Sequence, residues 1–233
     1  MTSCCRTSSR SKARPHPRRV RRRPVVLGLT GSIGMGKSTA AAMLRGMGLP
    51  VHDADAAVHR LMAKGGRAVP EIAAAFPDVV RDGAVDRRAL GARVFDDPQA
   101  LKGLEAILHP KVRAEAHRFI DARRTRGDDL VVLDIPLLFE TGGERLCDAV
   151  AVVSAPRFVQ EARVLTRPGM TRAKLAAIRA QQLPDAEKRR RADFVVPTGL
   201  GRLHSLRTLR RVVKILRDNP PTSPRSGRRR PSA

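Results

Sequence analysis

Residues 25–38 read Val25-Val-Leu-Gly-Leu-Thr30-Gly31-Ser-Ile-Gly-Met-Gly36-Lys37-Ser38, a short apolar run that breaks into a glycine-rich turn. An uninterrupted apolar run suits a strand buried on both faces. The turn fits the pattern G-x-x-x-x-G-K-[ST], in which consecutive backbone N–H groups surround a polyphosphate. Gly31, Gly34 and Gly36 allow the backbone to curl so that those groups converge, and Met35 belongs to the same cradle. Beyond it, Thr39 to Gly46 spaces Ala40, Met43, Leu44 and Met47 for one buried helical stripe. The helix N-terminus then adds partial positive charge facing the phosphates. Lys37 is placed to reach the β- and γ-phosphates, the Ser38 hydroxyl to ligate Mg²⁺, and Thr39 to approach the α-phosphate. The expected cofactors are therefore ATP and Mg²⁺.

Two carboxylate sites lie downstream. Asp53 and Asp55 are the first acidic residues in the chain, and they close the apolar segment Leu49-Pro-Val-His-Asp53. In a strand–helix–strand unit the second strand runs parallel to the first, so its end opens onto the phosphate crevice. One carboxylate there can orient or accept the proton of an attacking hydroxyl. The other role on offer is N-cap of a helix over Ala56–Ala63, and spacing alone assigns neither role to either residue. Leu130-Val-Val-Leu-Asp134 is a further apolar strand ending in an acid; such an Asp serves as a helix or turn cap or, the reading favoured beside a phosphate loop, holds the Mg²⁺ shell through water.

These segments, taken in order, resemble the dephospho-CoA kinase family. The resemblance is carried by Thr30-Gly-Ser-Ile-Gly-Met-Gly-Lys-Ser, Asp53-Ala-Asp55, His59-Arg-Leu61, Leu108-His109-Pro110 and Leu133-Asp-Ile-Pro-Leu-Leu-Phe-Glu140. Arg163-Val-Leu-Thr-Arg167 and Arg179-Ala-Gln-Gln182 extend it, so that it runs over about residues 25–215. It implies an α/β P-loop NTPase fold: a five-stranded parallel sheet flanked by helices, a helical substrate-binding insertion over about 57–127, and a helical lid over about 157–192. It implies transfer of the γ-phosphoryl group of MgATP to the ribose 3′-hydroxyl of dephospho-CoA, the last step of coenzyme A synthesis. Asp55 matches the catalytic aspartate, while His59, His109, Pro110 and Gln182 become substrate contacts. Arg163 and Arg167, four apart, are expected on one helix face of the lid, where two guanidinium groups stabilise the transferred phosphoryl oxygens. Two positions depart from the family pattern: Pro168 stands where an acid is common, and Pro197 where an Asp is common.

The formal net charge of +24 raises a different class, a nucleic-acid binder. Its distribution argues otherwise. Residues 1–24 hold nine Lys/Arg and no acid, residues 219–233 hold four Arg and no acid, and +11 is left on residues 25–218. There is no Trp and no Tyr to serve as a stacking platform, so specific nucleic-acid binding is not expected. A guanine-selecting Asn-Lys-x-Asp motif is excluded, because the only Asn is Asn219. A kinase acting on a nucleoside or nucleotide is the nearest rival, since it would share Lys37, Ser38 and Asp55. Residues 1–24 and 219–233 read as disordered extensions around a domain at 25–218. The first of these has no apolar core of a secretory leader. Cys4, Cys5 and Cys147 form neither a disulfide framework nor a metal set, which fits a reducing cytoplasm. The partner expected is the small-molecule substrate, with the chain acting as a monomer away from membranes.

Overall fold

The computed structural model of the chain describes residues 23–95 and 97–221. In chain order its elements are β1 (Val25–Thr30), α1 (Lys37–Gly46), β2 (Val51–Asp53), α2 (Ala54–Met62), α3 (Val69–Ala75), β3 (Val80–Arg81), β4 (Ala84–Val85), α4 (Arg87–Phe95) and α5 (Pro98–Arg126). They continue with β5 (Leu130–Asp134), β6 (Ala149–Ser154), α6 (Arg157–Leu165), α7 (Arg172–Gln181), α8 (Asp185–Arg191), β7 (Phe194–Pro197) and α9 (Arg202–Asp218). Among the described residues, five strands form one parallel sheet in the order β2-β5-β1-β6-β7.

The apolar runs of β1, β5 and β6 are buried because helices cover both faces of the sheet. Side chains alternate along each strand. Leu27, Leu29, Leu130, Val132, Ala151 and Val153 meet Ala40, Ala41 and Leu44 of α1 and Leu209, Val212 and Leu216 of α9. Val26, Val131, Leu133, Val150 and Val152 point the other way, against Ala116 and Ile120 of α5 and Leu138 and Phe139. Each fully buried Leu or Val is worth about 1.5–3 kcal/mol over an exposed one. Because all five strands are parallel, Thr30, Asp53, Asp134, Ser154 and Pro197 end on one rim. β2 is parallel to β1 as expected, but β5 lies between them and brings Asp134 into register with Asp53. Pro197 is tolerated because β7 is an edge strand, where a missing N–H leaves no ladder bond unmade.

Residues between β2 and β5 build a satellite core of their own around Leu61, Ile72, Phe76, Val79, Leu90 and Leu104. The sequence suggests a helical insertion over about 57–127, with breaks at Gly65-Gly66, Pro77 and Gly83. The structure differs: β3 and β4 form a small antiparallel hairpin. Asp82 has φ 50° and Gly83 has φ 76°, the two positive values a two-residue type I′ turn requires. α5 runs for 29 residues from its N-cap Asp97 to Gly127, with Pro110 in its interior.

The connection from β6 to β7 consists of α6, α7 and α8. Arg167 does not share a helix face with Arg163, because α6 ends at Leu165 and Thr166 is its C-cap. The cause is Pro168, whose ring disfavours helical backbone at the residue before it. α8 is fixed to the loop after β5 by the fully buried Lys188, whose Nζ lies 2.9 Å from Glu140 Oε1. Ser154 Oγ donates to Asp185 Oδ2 at 2.7 Å, a second tie at the same place.

Arg23, which the sequence places in the basic extension, pairs with Asp148 at 2.8 Å, and the other oxygen of Asp148 accepts from Val26 N–H at 2.8 Å. Residues 1–22 and 222–233, where the remaining expectations about the tails fall, lie outside the described residues. No helix among the described residues is long and apolar enough to cross a membrane.

His52, in the middle of β2, is buried against Phe119, and its Nε2 has no hydrogen-bond partner among the described residues. Burial, followed by the nearby Arg60 charge, holds its pKa below the ordinary 6.5. The folded chain therefore binds fewer protons at this site than the unfolded one. The stability that results is fully present above pH 6.5 and declines as pH falls toward the lowered value. The melting temperature is expected to drop between pH 7 and 5, and His52→Leu to flatten that part of the curve. An unchanged slope in the variant would assign the acid sensitivity to other groups.

Candidate active site

At the rim, the loop after β1 folds into a cradle. Gly36, with φ 88°, is the N-cap of α1, and no side chain caps the helix. The first intrahelical bond runs from Ala40 N–H to Gly36 O at 3.1 Å. The N–H groups of Lys37, Ser38 and Thr39 precede it, and all three residues line a cavity of about 610 Å³. This is the arrangement that makes a helix start attractive to phosphate. Gly31, Gly34, Gly36, Lys37, Ser38 and Thr39 all line the cavity. Met35 does not: its side chain is buried in the core, its N–H bonds to Ser32 O at 3.1 Å, and its Sδ accepts from Ala155 N–H at 3.1 Å.

Lys37 Nζ donates to Asp134 Oδ1 at 2.9 Å, and both side chains are largely sheltered from solvent. Burial pushes the Asp134 carboxyl above its ordinary range, while the Lys37 ammonium pulls it back. Sequence placed Lys37 and Asp134 separately; the register of β1 with β5 joins them. Ser38, exposed at the helix start, and Asp134 supply hard oxygen donors of the kind Mg²⁺ prefers. No group of three or more His, Cys, Asp or Glu able to hold a metal occurs among the described residues.

The two early aspartates separate cleanly. Asp53 is the N-cap of α2, accepting from Ala56 N–H at 3.0 Å, and α2 starts at Ala54, not Ala56. Asp55, in the first turn of that helix, is exposed, lines the cavity and makes no hydrogen bond or ion pair among the described residues. Arg163, Arg167 and Gln182 face the same cavity from the β6–β7 connection. His59 stands one turn beyond Asp55 on α2 and contacts Arg87, and His109 and Pro110 lie in α5. These three do not line the cavity.

Sequence reasoning missed two residues that shape the site, Thr198 and Gln160. Arg163 donates to Thr198 O at 2.6 Å and to Thr198 Oγ1 at 3.2 Å, and Thr198 Oγ1 donates to Met35 O at 2.7 Å. Thr198 thereby couples an arginine of the cavity to the phosphate loop. Gln160 is the second omission. It and Val164 are the buried residues of α6, four apart, so a polar residue sits on the helix's inward stripe. That placement was readable and is the signal that identifies it.

A family model for dephospho-CoA kinase matches residues 25–200. A dephospho-CoA kinase of Paramagnetospirillum magneticum is 64% identical over 202 residues, covering 87% of this chain and 95% of that protein. One of Mesorhizobium japonicum is 62% identical over 177 residues, covering 76% and 89%. Among solved structures, TT1252 from Thermus thermophilus is similar with a TM-score of 0.71 and 41% identity over 83% of this chain and 97% of that one. The dephospho-CoA kinase of Campylobacter jejuni, at 22% identity and a TM-score of 0.58 over the same shares, has the same fold. With the phosphate loop, the Lys37–Asp134 pair and Asp55 on one rim, and this similarity spanning most of its length, the chain belongs to the dephospho-CoA kinase family.

Proposed function

We propose that the protein phosphorylates the ribose 3′-hydroxyl of dephospho-CoA with ATP, giving CoA and ADP, and that it does so as a cytoplasmic monomer. The observation that carries this is a cavity lined together by the phosphate loop, Asp55, Arg163 and Arg167. ATP lies with its phosphates against the N–H groups of Lys37, Ser38 and Thr39. Lys37, paired with Asp134 in the structure, is the cation placed to meet the β- and γ-phosphates. Ser38, and Asp134 through water, would hold Mg²⁺, which when bound would supply neutralisation of the phosphate charge. Asp55 orients the attacking hydroxyl and takes its proton as the bond to phosphorus forms. Arg163 and Arg167 stabilise charge on the transferred oxygens. The insertion over about 57–127, with His59, His109 and Pro110, contributes to holding the acceptor, and residues 157–192 act as a lid.

The test is release of ADP from MgATP with dephospho-CoA, adenosine, AMP, CMP and shikimate as separate acceptors. Release with dephospho-CoA alone, with CoA as product, is expected. Release with a nucleoside or nucleotide instead would keep the roles of Lys37 and Asp55 and overturn the acceptor.

A further inference from the structure

The phosphate loop is held from outside as well as from within. Gln160 Nε2 donates to Ile33 O at 2.7 Å, and Ile33 N–H donates to Gln182 Oε1 at 3.1 Å. Both polar groups of one loop residue are thus taken by side chains from the β6–β7 connection, Gln160 from α6 and Gln182 from the end of α7. The amide of Gln160 has only one possible orientation. Its Oε1 accepts from Arg179, at 3.0 Å from Nε, and a guanidinium can only donate. Arg179 also pairs with Glu161 at 2.9 Å, which ties α7 to α6. The packing is close: a Cβ placed on Gly34 would meet Val164 Cγ2 at 2.4 Å. Gln160 itself is only 4% exposed and does not line the cavity.

We propose that Gln160 is a positioning residue for the phosphate loop, oriented by Arg179, and that with Gln182 it clamps Ile33 so that the loop holds its nucleotide-binding shape only while α6 and α7 are in place. A buried amide with its donor on the loop and its acceptor on a neighbouring helix reports the position of one to the other. The arrangement links closure of the connection to the affinity of the cradle. This rests on the cavity being the ATP site.

Substitution of Gln160 separates the clamp from simple helix packing. Gln160→Glu retains the acceptor for Arg179, now charge-assisted, and removes the donor to Ile33 O. KM for ATP is expected to rise about tenfold while the tie to Arg179 is kept. Gln160→Met loses both contacts and is expected to show the same rise in KM with a lowered melting temperature. Wild-type KM and kcat in Gln160→Glu, with only the melting temperature lowered in Gln160→Met, would overturn the clamp and leave Gln160 a tie between helices. If Gln160→Glu does not fold, Gln182→Leu tests the other half: KM for ATP is expected to rise about tenfold, and an unchanged KM overturns the clamp. Lys37→Ala, measured alongside, keeps the two levels apart. Activity that is ATP-dependent, lost in Lys37→Ala and intact in Gln160→Glu sinks the clamp alone. A wild-type chain without ATP-dependent transfer sinks the site assignment, and the clamp with it.

Discussion

Lys37→Ala is expected to lower kcat/KM for phosphoryl transfer by about 10²–10³-fold or more. Two effects combine. The cradle loses the only side-chain cation that its own motif carries to the β- and γ-phosphates. Asp134 also loses the ammonium group 2.9 Å away that opposes its desolvation. The second effect has its own signature. Asp134 already has a folded-state pKa above the ordinary 3.8, so the folded chain binds more protons there than the unfolded one. A raised carboxyl contributes stability that is complete below the ordinary value and is lost as pH rises through the folded value. Removing Lys37 raises that value further, so the variant is expected to be most stable in acid and to weaken toward neutrality, relative to the wild type. Thermal unfolding across pH 4–8 checks this. Near-wild-type turnover in Lys37→Ala would remove Lys37 from the phosphates; a pH curve parallel to wild type would mean that Asp134 finds another counter-charge.

Asp55→Asn is expected to reduce kcat by about 10²–10⁴-fold while KM for ATP stays within about twofold. The amide keeps the size and polarity of the side chain but cannot accept the hydroxyl proton. Asp55 has no partner within the described residues, so its substitution leaves the melting temperature near wild type. The neighbouring Asp53 supplies the contrast. Asp53→Ala removes the bond to Ala56 N–H and is expected to cost about 1 kcal/mol in stability, with a far smaller effect on kcat. A large fall in kcat in Asp53→Ala together with near-normal turnover in Asp55→Asn would exchange the two assignments.

The same pair shows what a sequence can and cannot carry. Asp-Ala-Asp at the end of a short strand was enough to locate a carboxylate at the phosphate rim, because strand direction follows from the connection. Spacing could not say which aspartate was free, since both sit within reach of a helix start; the family resemblance pointed to Asp55, and the hydrogen bond from Ala56 N–H to Asp53 gives the physical separation. The phosphate loop was legible because its glycines, lysine and hydroxyl are contiguous. The contacts of Ile33 with Gln160 and Gln182 were not, because they span 127 and 149 residues and depend on where α6 and α7 settle. The hairpin at Asp82-Gly83 was overlooked because its strands are two residues each, too short to show a period of two. Arg167 left the expected helix face because of Pro168, a local rule that was available in the sequence and outweighed by the spacing of the two arginines.

The strand order has a consequence for how the chain is made. Among the described residues β1 pairs with β5 and β6 alone, and its Val26 N–H is satisfied by Asp148, 122 residues further along. At synthesis rates of about 5–20 residues per second, the phosphate loop emerges many seconds before the strands that must flank it. Residues between β2 and β5, which carry their own apolar cluster, have no such wait and can condense first. The rim therefore closes later than the insertion, and β1 has neither of its two neighbouring strands complete until β5 and β6 have left the ribosome.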